Sequence, residues 1–359
     1  MIENEKKELN KSIEKTVLKM AIEPKNTEHY HELAKLYAMD NQYEKVISIY
    51  ESLLEIDPKD IHALLNLGSI WFYAKEYKKA LKCFDKAVIV NPSDYLVYYN
   101  LGNTYAEMKD FSKALHYYSR TLDFNSKDPE IYNAIALLYH DYEDFVEARA
   151  YYEKALSLDK NNLTALIDLG NVCYKLYDYK QALEYYQRVF ELAPDNKTVV
   201  LCIANTLAAI KDEKKCYEYF EKALSFDDDN YKTYVCYAIA KSDFKDYEGA
   251  IELYKKAIET SPNEHKAHIL LGNLYSNLKQ FKEAEEEYKQ ALKINKLDAS
   301  IYILIANTYY MNNEIERSIF SYRAAVNLRP ENDEYKLVFA QVLDDYIEEN
   351  RKGDIIAAF

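Results

Sequence analysis

Five asparagines lie at intervals that are multiples of 34 residues, and each offers the same side-chain chemistry. They are Asn103, Asn171, Asn205, Asn273 and Asn307. An amide supplies N–H donors and a carbonyl acceptor, the two kinds of group that a peptide backbone also offers. Amides at a fixed spacing therefore suit the backbone of an extended peptide. Alternatively, the same amides cap or bridge neighbouring repeats and bind no ligand.

Other reactive residue types show no arrangement typical of a catalytic or metal site. Five scattered cysteines lack CxxC spacing, which favours small buried hydrophobes over a disulfide framework. Three nearby histidines, His29, His31 and His62, are fewer than a zinc site needs. Glycine-rich phosphate loops and the GxSxG and HExxH motifs are absent from the sequence. We therefore predict no enzymatic activity, no cofactor and no metal.

Composition narrows the classes of partner. The 359 residues are 49% hydrophobic and 30% charged, with a formal net charge of −14. An acidic chain lacks the basic face that nucleic-acid binding requires. No stretch approaches 18 consecutive apolar residues, so we expect no membrane insertion. The charged N-terminal sequence does not resemble a secretory signal, and we expect a cytoplasmic protein.

The asparagines belong to a repeat that spans most of the chain. With Thr27 as position 1, nine repeats of 34 residues follow without insertion or deletion. Position 8 is always Gly or Ala, and position 24 is always Tyr or Phe. Six of the seven prolines keep the same spacing, all but one at position 32 of a repeat. The repeats, numbered 1 to 9, are residues 27–60, 61–94, 95–128, 129–162, 163–196, 197–230, 231–264, 265–298 and 299–332.

The residue types predict two antiparallel helices per repeat, over positions 1–14 and 17–30. Positions 4, 7, 8 and 11 form one stripe at helical spacing. A small residue at position 8 lets the two helices approach, and the aromatic residue at position 24 fills the space along their seam. A single pair cannot bury its apolar face, so the repeats must stack. We further predict an N-terminal segment (1–26) with a half-repeat helix, a capping helix (333–350) and a tail (351–359).

This pattern resembles the tetratricopeptide repeat (TPR) family over residues 27–332. Residues 61–92 carry the motif most plainly, with Leu64, Leu67, Gly68, Trp71, Ala80, Phe84, Ala87 and Pro92. The resemblance implies an all-α fold, a right-handed α-solenoid superhelix whose concave groove is lined mainly by the first helix of each repeat. The asparagines are also similar to those lining the repeats of the O-GlcNAc transferase family, which recognise protein substrates. This chain has no room for that family's catalytic domain.

One TPR subclass is disfavoured by the sequence. Members that bind the acidic C-terminus of chaperones carry a carboxylate clamp, which needs Lys at position 5 and Arg at position 6. No repeat of this chain has either residue at those positions. We therefore expect a partner other than the chaperone C-terminal carboxylate type.

Positions 2, 5, 9 and 12 share a helix face beside the packing stripe and should line the groove. Position 5 is apolar in seven repeats, and position 6 adds further polar groups. The residues predicted to bind a partner are Asn66, Tyr99, Asn100, Asn103, Ile167, Asp168, Asn171, Leu201, Asn205, Ile269, Asn273, Ile303 and Asn307.

The pattern favours a non-catalytic scaffold that binds a peptide or helix of a partner protein, including one in a larger complex. Two alternatives stay open. One is a regulatory or substrate-recruiting subunit of a separately encoded enzyme, such as a glycosyltransferase. The other is a structural scaffold that assembles with itself.

Repeats 6 and 7, residues 197–264, depart from the pattern. Lys241 occupies position 11, which is aromatic in most repeats, and Gly249 lies just inside a predicted second helix. Either Lys241 extends along the surface with its charge in water, or the junction is loosened and its curvature shapes a partner site.

Overall fold

The structure, a computed structural model, describes residues 2–226 and 230–357. These residues form twenty α-helices and no β-strand. The chain divides between Tyr185 and Tyr186 into two compact units, here called the N-terminal unit and the C-terminal unit. The last two residues of the predicted tail lie outside the described residues. The all-α fold of stacked helix-turn-helix repeats is confirmed within each unit.

The N-terminal unit contains ten complete helices and the start of an eleventh. They are α1 (Ile2–Ile22), α2 (Thr27–Met39), α3 (Tyr43–Ile56), α4 (Ile61–Tyr73), α5 (Tyr77–Val90), α6 (Tyr95–Glu107), α7 (Phe111–Phe124), α8 (Pro129–Asp141), α9 (Phe145–Leu158) and α10 (Leu163–Lys175). The unit boundary falls within α11 (Tyr179–Leu192).

The C-terminal unit continues the same alternation. Its helices after α11 are α12 (Lys197–Ala209), α13 (Glu213–Leu224), α14 (Tyr231–Asp243), α15 (Tyr247–Thr260), α16 (His265–Asn277), α17 (Phe281–Ile294), α18 (Ala299–Met311), α19 (Ile315–Leu328) and α20 (Asp333–Ala357). None of the helices in the described residues is long and apolar enough to span a membrane.

The helix bounds follow the repeat closely because the sequence supplies a start and a stop signal at fixed positions. First helices occupy positions 1–13, and second helices occupy positions 17–30 except in α13, which is shorter. The residue before most first helices is Asp or Asn, whose side-chain oxygen accepts an N–H of the first turn, as Asp60 does from Ala63. Such caps are worth about 1 kcal/mol each.

The turn between the two helices of a repeat has one conformation throughout. The residue at position 15 is left-handed in all nine repeats, with φ between 56° and 69°, and none of the nine is glycine. In repeat 3, Lys109 N–H donates to the Ala106 carbonyl at 2.9 Å, and Asp110 N–H donates to the Tyr105 carbonyl at 2.9 Å. These two bonds complete a Schellman turn and satisfy the last carbonyls of the first helix.

The seam of each hairpin depends on the small residue at position 8. A Cβ added at Gly102 would lie 2.5 Å from the Tyr118 ring, and one at Gly68 would lie 2.5 Å from the Phe84 ring. Both rings are buried, as the sequence predicts for position 24. The aromatic side chains therefore occupy the room that the glycines leave.

The terminal helices are longer than the sequence predicted. Helix α1 begins at Ile2, packs on α2 and buries Ile13. At the other end, α20 packs on α19, where Val342 joins Tyr322 in one cluster, and its backbone stays helical beyond residue 350.

Candidate peptide-binding site

Within the N-terminal unit, the first helices of repeats 2 to 5 surround a cleft of about 270 Å³ that opens to solvent. We call it the N-terminal cleft. Residues at positions 2, 5, 9 and 12, the positions predicted to face a partner, all contribute to its lining. Three of the predicted residues meet there: Tyr99, Asn103 and Asp168.

In repeats 3, 8 and 9, the buried tyrosine at position 24 is hydrogen-bonded to the asparagine at position 9 of the same repeat. The Tyr118 hydroxyl donates to Asn103 Oδ1 at 2.7 Å, and the Tyr288 hydroxyl donates to Asn273 Oδ1 at 2.7 Å. Tyr322 and Asn307 make the same bond. Burial raises the pKa of Tyr288 to about 12, so this hydroxyl keeps its proton and can donate it. The tyrosines hold these amides with the oxygen turned toward the seam.

That orientation leaves the amide nitrogens for another acceptor. Among the described residues, neither Asn273 Nδ2 nor Asn307 Nδ2 has a hydrogen-bond partner. Asn273 also lines a second cleft, of about 240 Å³, between α14 and α16 in the C-terminal unit, together with Tyr254. Burial raises the pKa of Tyr254 to about 12. These two asparagines present N–H donors, which suit a peptide carbonyl or a carboxylate.

In repeat 1, where position 9 is Lys35, the tyrosine hydroxyl meets position 6 of the next repeat instead. Asn66 Nδ2 donates to the Tyr50 hydroxyl at 3.1 Å, so this amide bridges two repeats. A bridging role of this kind is the alternative that the sequence left open for the asparagines at position 9. Asp168 occupies the equivalent repeat position near Tyr152, but the Tyr152 hydroxyl has no hydrogen-bond partner among the described residues.

The Asp168 carboxylate is half-buried in the N-terminal cleft. Desolvation raises its pKa, while the neighbouring His140, Asn171 and Tyr152 side chains act in the opposite direction. A carboxylate that has lost part of its hydration gains from a nearby cation or donor. The cleft therefore has a site where positive charge is favoured.

The other predicted residues lie apart from the two clefts. Asn100, Ile167, Asn171, Leu201, Asn205, Ile269 and Ile303 are half-buried on first helices and are not among the lining residues of either cleft. Ile269 and Ile303 pack against apolar clusters of the C-terminal unit. Asn205 lies near Cys236 and lowers the pKa of that thiol against the larger effect of burial.

Asn133 is a site residue that the sequence reasoning missed. It lies at position 5 of repeat 4, where most repeats have an apolar residue, and that departure was the available signal. It lines the N-terminal cleft and is only 8% exposed. Neither its Oδ1 nor its Nδ2 has a hydrogen-bond partner among the described residues.

Thiols and histidines do not form a second site in the described residues. All five cysteines are free, and burial raises the pKa of each. His31 and His62 rings lie 6.1 Å apart, but His31 binds Asp60 at 2.8 Å. No group of three or more His, Cys, Asp or Glu side chains in the described part of the chain is arranged to hold a metal ion.

Comparison with solved structures shows the same fold. A tetratricopeptide repeat protein from Parabacteroides merdae ATCC 43184 is 15% identical, with a TM-score of 0.57 over 70% of this chain and 100% of that one. Yeast Tom70 is 17% identical, with a TM-score of 0.54 over 99% of this chain and 95% of that one. A search of curated proteins found no match.

Sequence models of one family match much of the chain. Four models, each described as tetratricopeptide repeat, match residues 62–94 and 95–128, 128–195, 243–307 and 299–332. Together these segments make up more than half of the chain, and all but 243–307 begin and end within a residue of the repeat bounds. The chain belongs to the tetratricopeptide repeat family.

Proposed function

We propose that this protein is a non-catalytic interaction scaffold that binds an extended segment of a partner protein along its first helices. The observation that carries the proposal is the orientation of the position-9 amides. Buried tyrosines hold their oxygens, and no described residue is hydrogen-bonded to the N–H groups of Asn273 and Asn307. Repeat folds of this type typically serve protein–protein interaction, which agrees with such a role.

The expected affinity follows from the strength of these bonds. Each net hydrogen bond contributes about 0.5–1.5 kcal/mol. Several such bonds, together with apolar contacts and less the entropy of ordering a peptide, correspond to dissociation constants on the order of micromolar. The further likeness to the asparagine-lined repeats of the O-GlcNAc transferase family is part of this proposal, because it implies the same use of amides toward a protein ligand.

Affinity capture followed by mass spectrometry would supply the partner segment, and the C-terminal unit offers a direct test on it. We expect the double variant Asn273→Ala, Asn307→Ala to bind a synthetic copy of that segment at least about tenfold more weakly, since two bonds are lost. Asn263→Ala is the matched control, because Asn263 is exposed in the turn between α15 and α16. Equal affinity of the wild type and the double variant, when every captured segment is tested, would contradict the proposal.

A further inference from the structure

The N-terminal cleft carries an excess of negative charge. Glu107, Glu130, Asp141 and Asp168 contribute to its lining, against the single cation Lys109. Lys109 is already paired with Asp141 at 3.5 Å. The remaining carboxylates therefore lack a lysine or arginine of the cleft lining to balance them, and a cationic ligand would be attracted there.

Asn133 provides a second, independent indication of a ligand. A buried amide with no partner costs about 1–3 kcal/mol, and native proteins seldom leave one unsatisfied. Seven of the nine repeats have an apolar residue at this position, so the hairpin does not need an amide there for packing. Its free donor and acceptor together match the carbonyl and N–H of a peptide group.

The size and walls of the cleft select the kind of cation. A volume of about 270 Å³ suits one long side chain better than a drug-sized molecule or cofactor. Aromatic rings of Phe72, Tyr99 and Tyr118 line it beside the acidic groups. A planar guanidinium can stack on such rings while its fork of donors reaches carboxylates, which a compact ammonium does less well.

We propose that the N-terminal cleft binds an arginine side chain of an extended peptide segment, with the Asn133 amide hydrogen-bonded to the backbone of that segment. The guanidinium pairs with Asp168 and Glu130. This assignment rests on the proposed function and specifies its ligand in one unit of the chain.

The test uses fluorescence anisotropy with a short labelled Ser/Ala peptide that carries one central arginine. Its counterparts carry citrulline, lysine or glutamate at the same place. We expect the arginine peptide to bind about tenfold or more tightly than the citrulline peptide, which keeps the shape and loses the charge. Equal binding of the two, or tighter binding of lysine, would overturn the guanidinium assignment.

Two variants examine the residues that we assign. Asn133→Leu places an aliphatic residue where other repeats have one, so it should fold and melt at or above the wild-type temperature while it loses about tenfold in affinity. Asp168→Asn should lose a similar factor and abolish the preference for arginine over citrulline. Unchanged affinity in either variant would overturn the role of that residue. N-acetylarginine amide should bind more weakly than the peptide; equal binding would overturn the backbone contact.

Failure of this inference is distinguishable from failure of the proposed function. The double variant Asn273→Ala, Asn307→Ala changes the C-terminal unit, so it should leave the affinity for the arginine peptide unchanged. If that variant still binds the captured partner segment more weakly than the wild type, while the arginine and citrulline peptides bind the wild type alike, the scaffold role stands and the arginine site is refuted.

Discussion

The pairing of Lys241 in the C-terminal unit gives a stability prediction that can be worked from the structure. Its ammonium lies 2.5 Å from Asp246 and 4.4 Å from the centre of the Tyr217 ring, and its side chain is only 18% exposed. Asp246 has a second role, because its Oδ1 accepts the Gly249 N–H at 3.0 Å and caps α15. Asp246→Ala therefore removes a cap and leaves a largely buried ammonium without its counter-ion.

Two contributions add to the expected cost. The cap is worth about 1 kcal/mol. Loss of one partner costs about 3–5 kcal/mol for a fully buried ion pair and about 0.2–1 kcal/mol for an exposed one. Because the Asp246 side chain is 38% exposed, we take about 2 kcal/mol for the pair. The expected loss is therefore about 3 kcal/mol.

Asp212→Ala is the matched control, since Asp212 caps α13 at the same repeat position and its ion partner, Lys215, is 64% exposed. We expect it to cost about 1 kcal/mol. Urea unfolding followed by circular dichroism, with hydrogen exchange of α14 and α15, would measure both. In a Lys241→Met background, Asp246→Ala should also cost only about 1 kcal/mol. Equal losses for Asp246→Ala and Asp212→Ala would refute the coupling.

Three other outcomes follow from features described above. Tyr288→Phe should lower the free energy of unfolding by about 1 kcal/mol in urea titrations, because Asn273 Oδ1 loses its hydrogen-bond donor. It should also weaken binding of the captured partner segment. Lys279→Gly should stabilise by up to about 1 kcal/mol by relieving a left-handed residue, whereas Lys282→Gly inside α17 should destabilise by about 1 kcal/mol. A reversed order in urea titrations would contradict this account. The affinity for the arginine peptide should fall as the pH is lowered through the raised pKa of Asp168, because the guanidinium pairs only with the ionised Asp168 carboxylate. Anisotropy across pH should show a smaller fall in Asp168→Asn.

The repeat frame could be predicted from the sequence because one period fixes caps, turns and seam together. A 34-residue spacing without insertions locates each hairpin, and both helices of a repeat end within a residue or two of the expected place. The buried face predicted for the first helices, positions 4, 7, 8 and 11, is narrower than the face that the structure buries. Val97 and Thr104, at positions 3 and 10, are also fully buried. A helix in a stack contacts its own hairpin and the next one, so its buried face is wider than a two-helix picture gives.

The polar contacts were less predictable because they join positions that a helical wheel treats separately. The sequence predicts only a packing role for the aromatic ring at position 24. It does not predict the hydrogen bond from the tyrosine hydroxyl to the asparagine at position 9. Lys241 neither reaches open water nor remains an unpaired charge, since Asp246 neutralises it. Such pairings depend on the three-dimensional approach of two helices, which the composition of each helix alone does not contain.

The hydroxyl at position 24 links the buried interior of a hairpin to the side chains on its outer face, because it orients the amide at position 9. In repeat 6 the ring is Phe220, which has no oxygen, and Asn205 lies near the Cys236 thiol of the following repeat. Loss of one oxygen from the buried seam thus removes the hydroxyl that holds the position-9 amide in repeats 3, 8 and 9. Recognition could diverge among such repeats through substitutions that never touch a ligand.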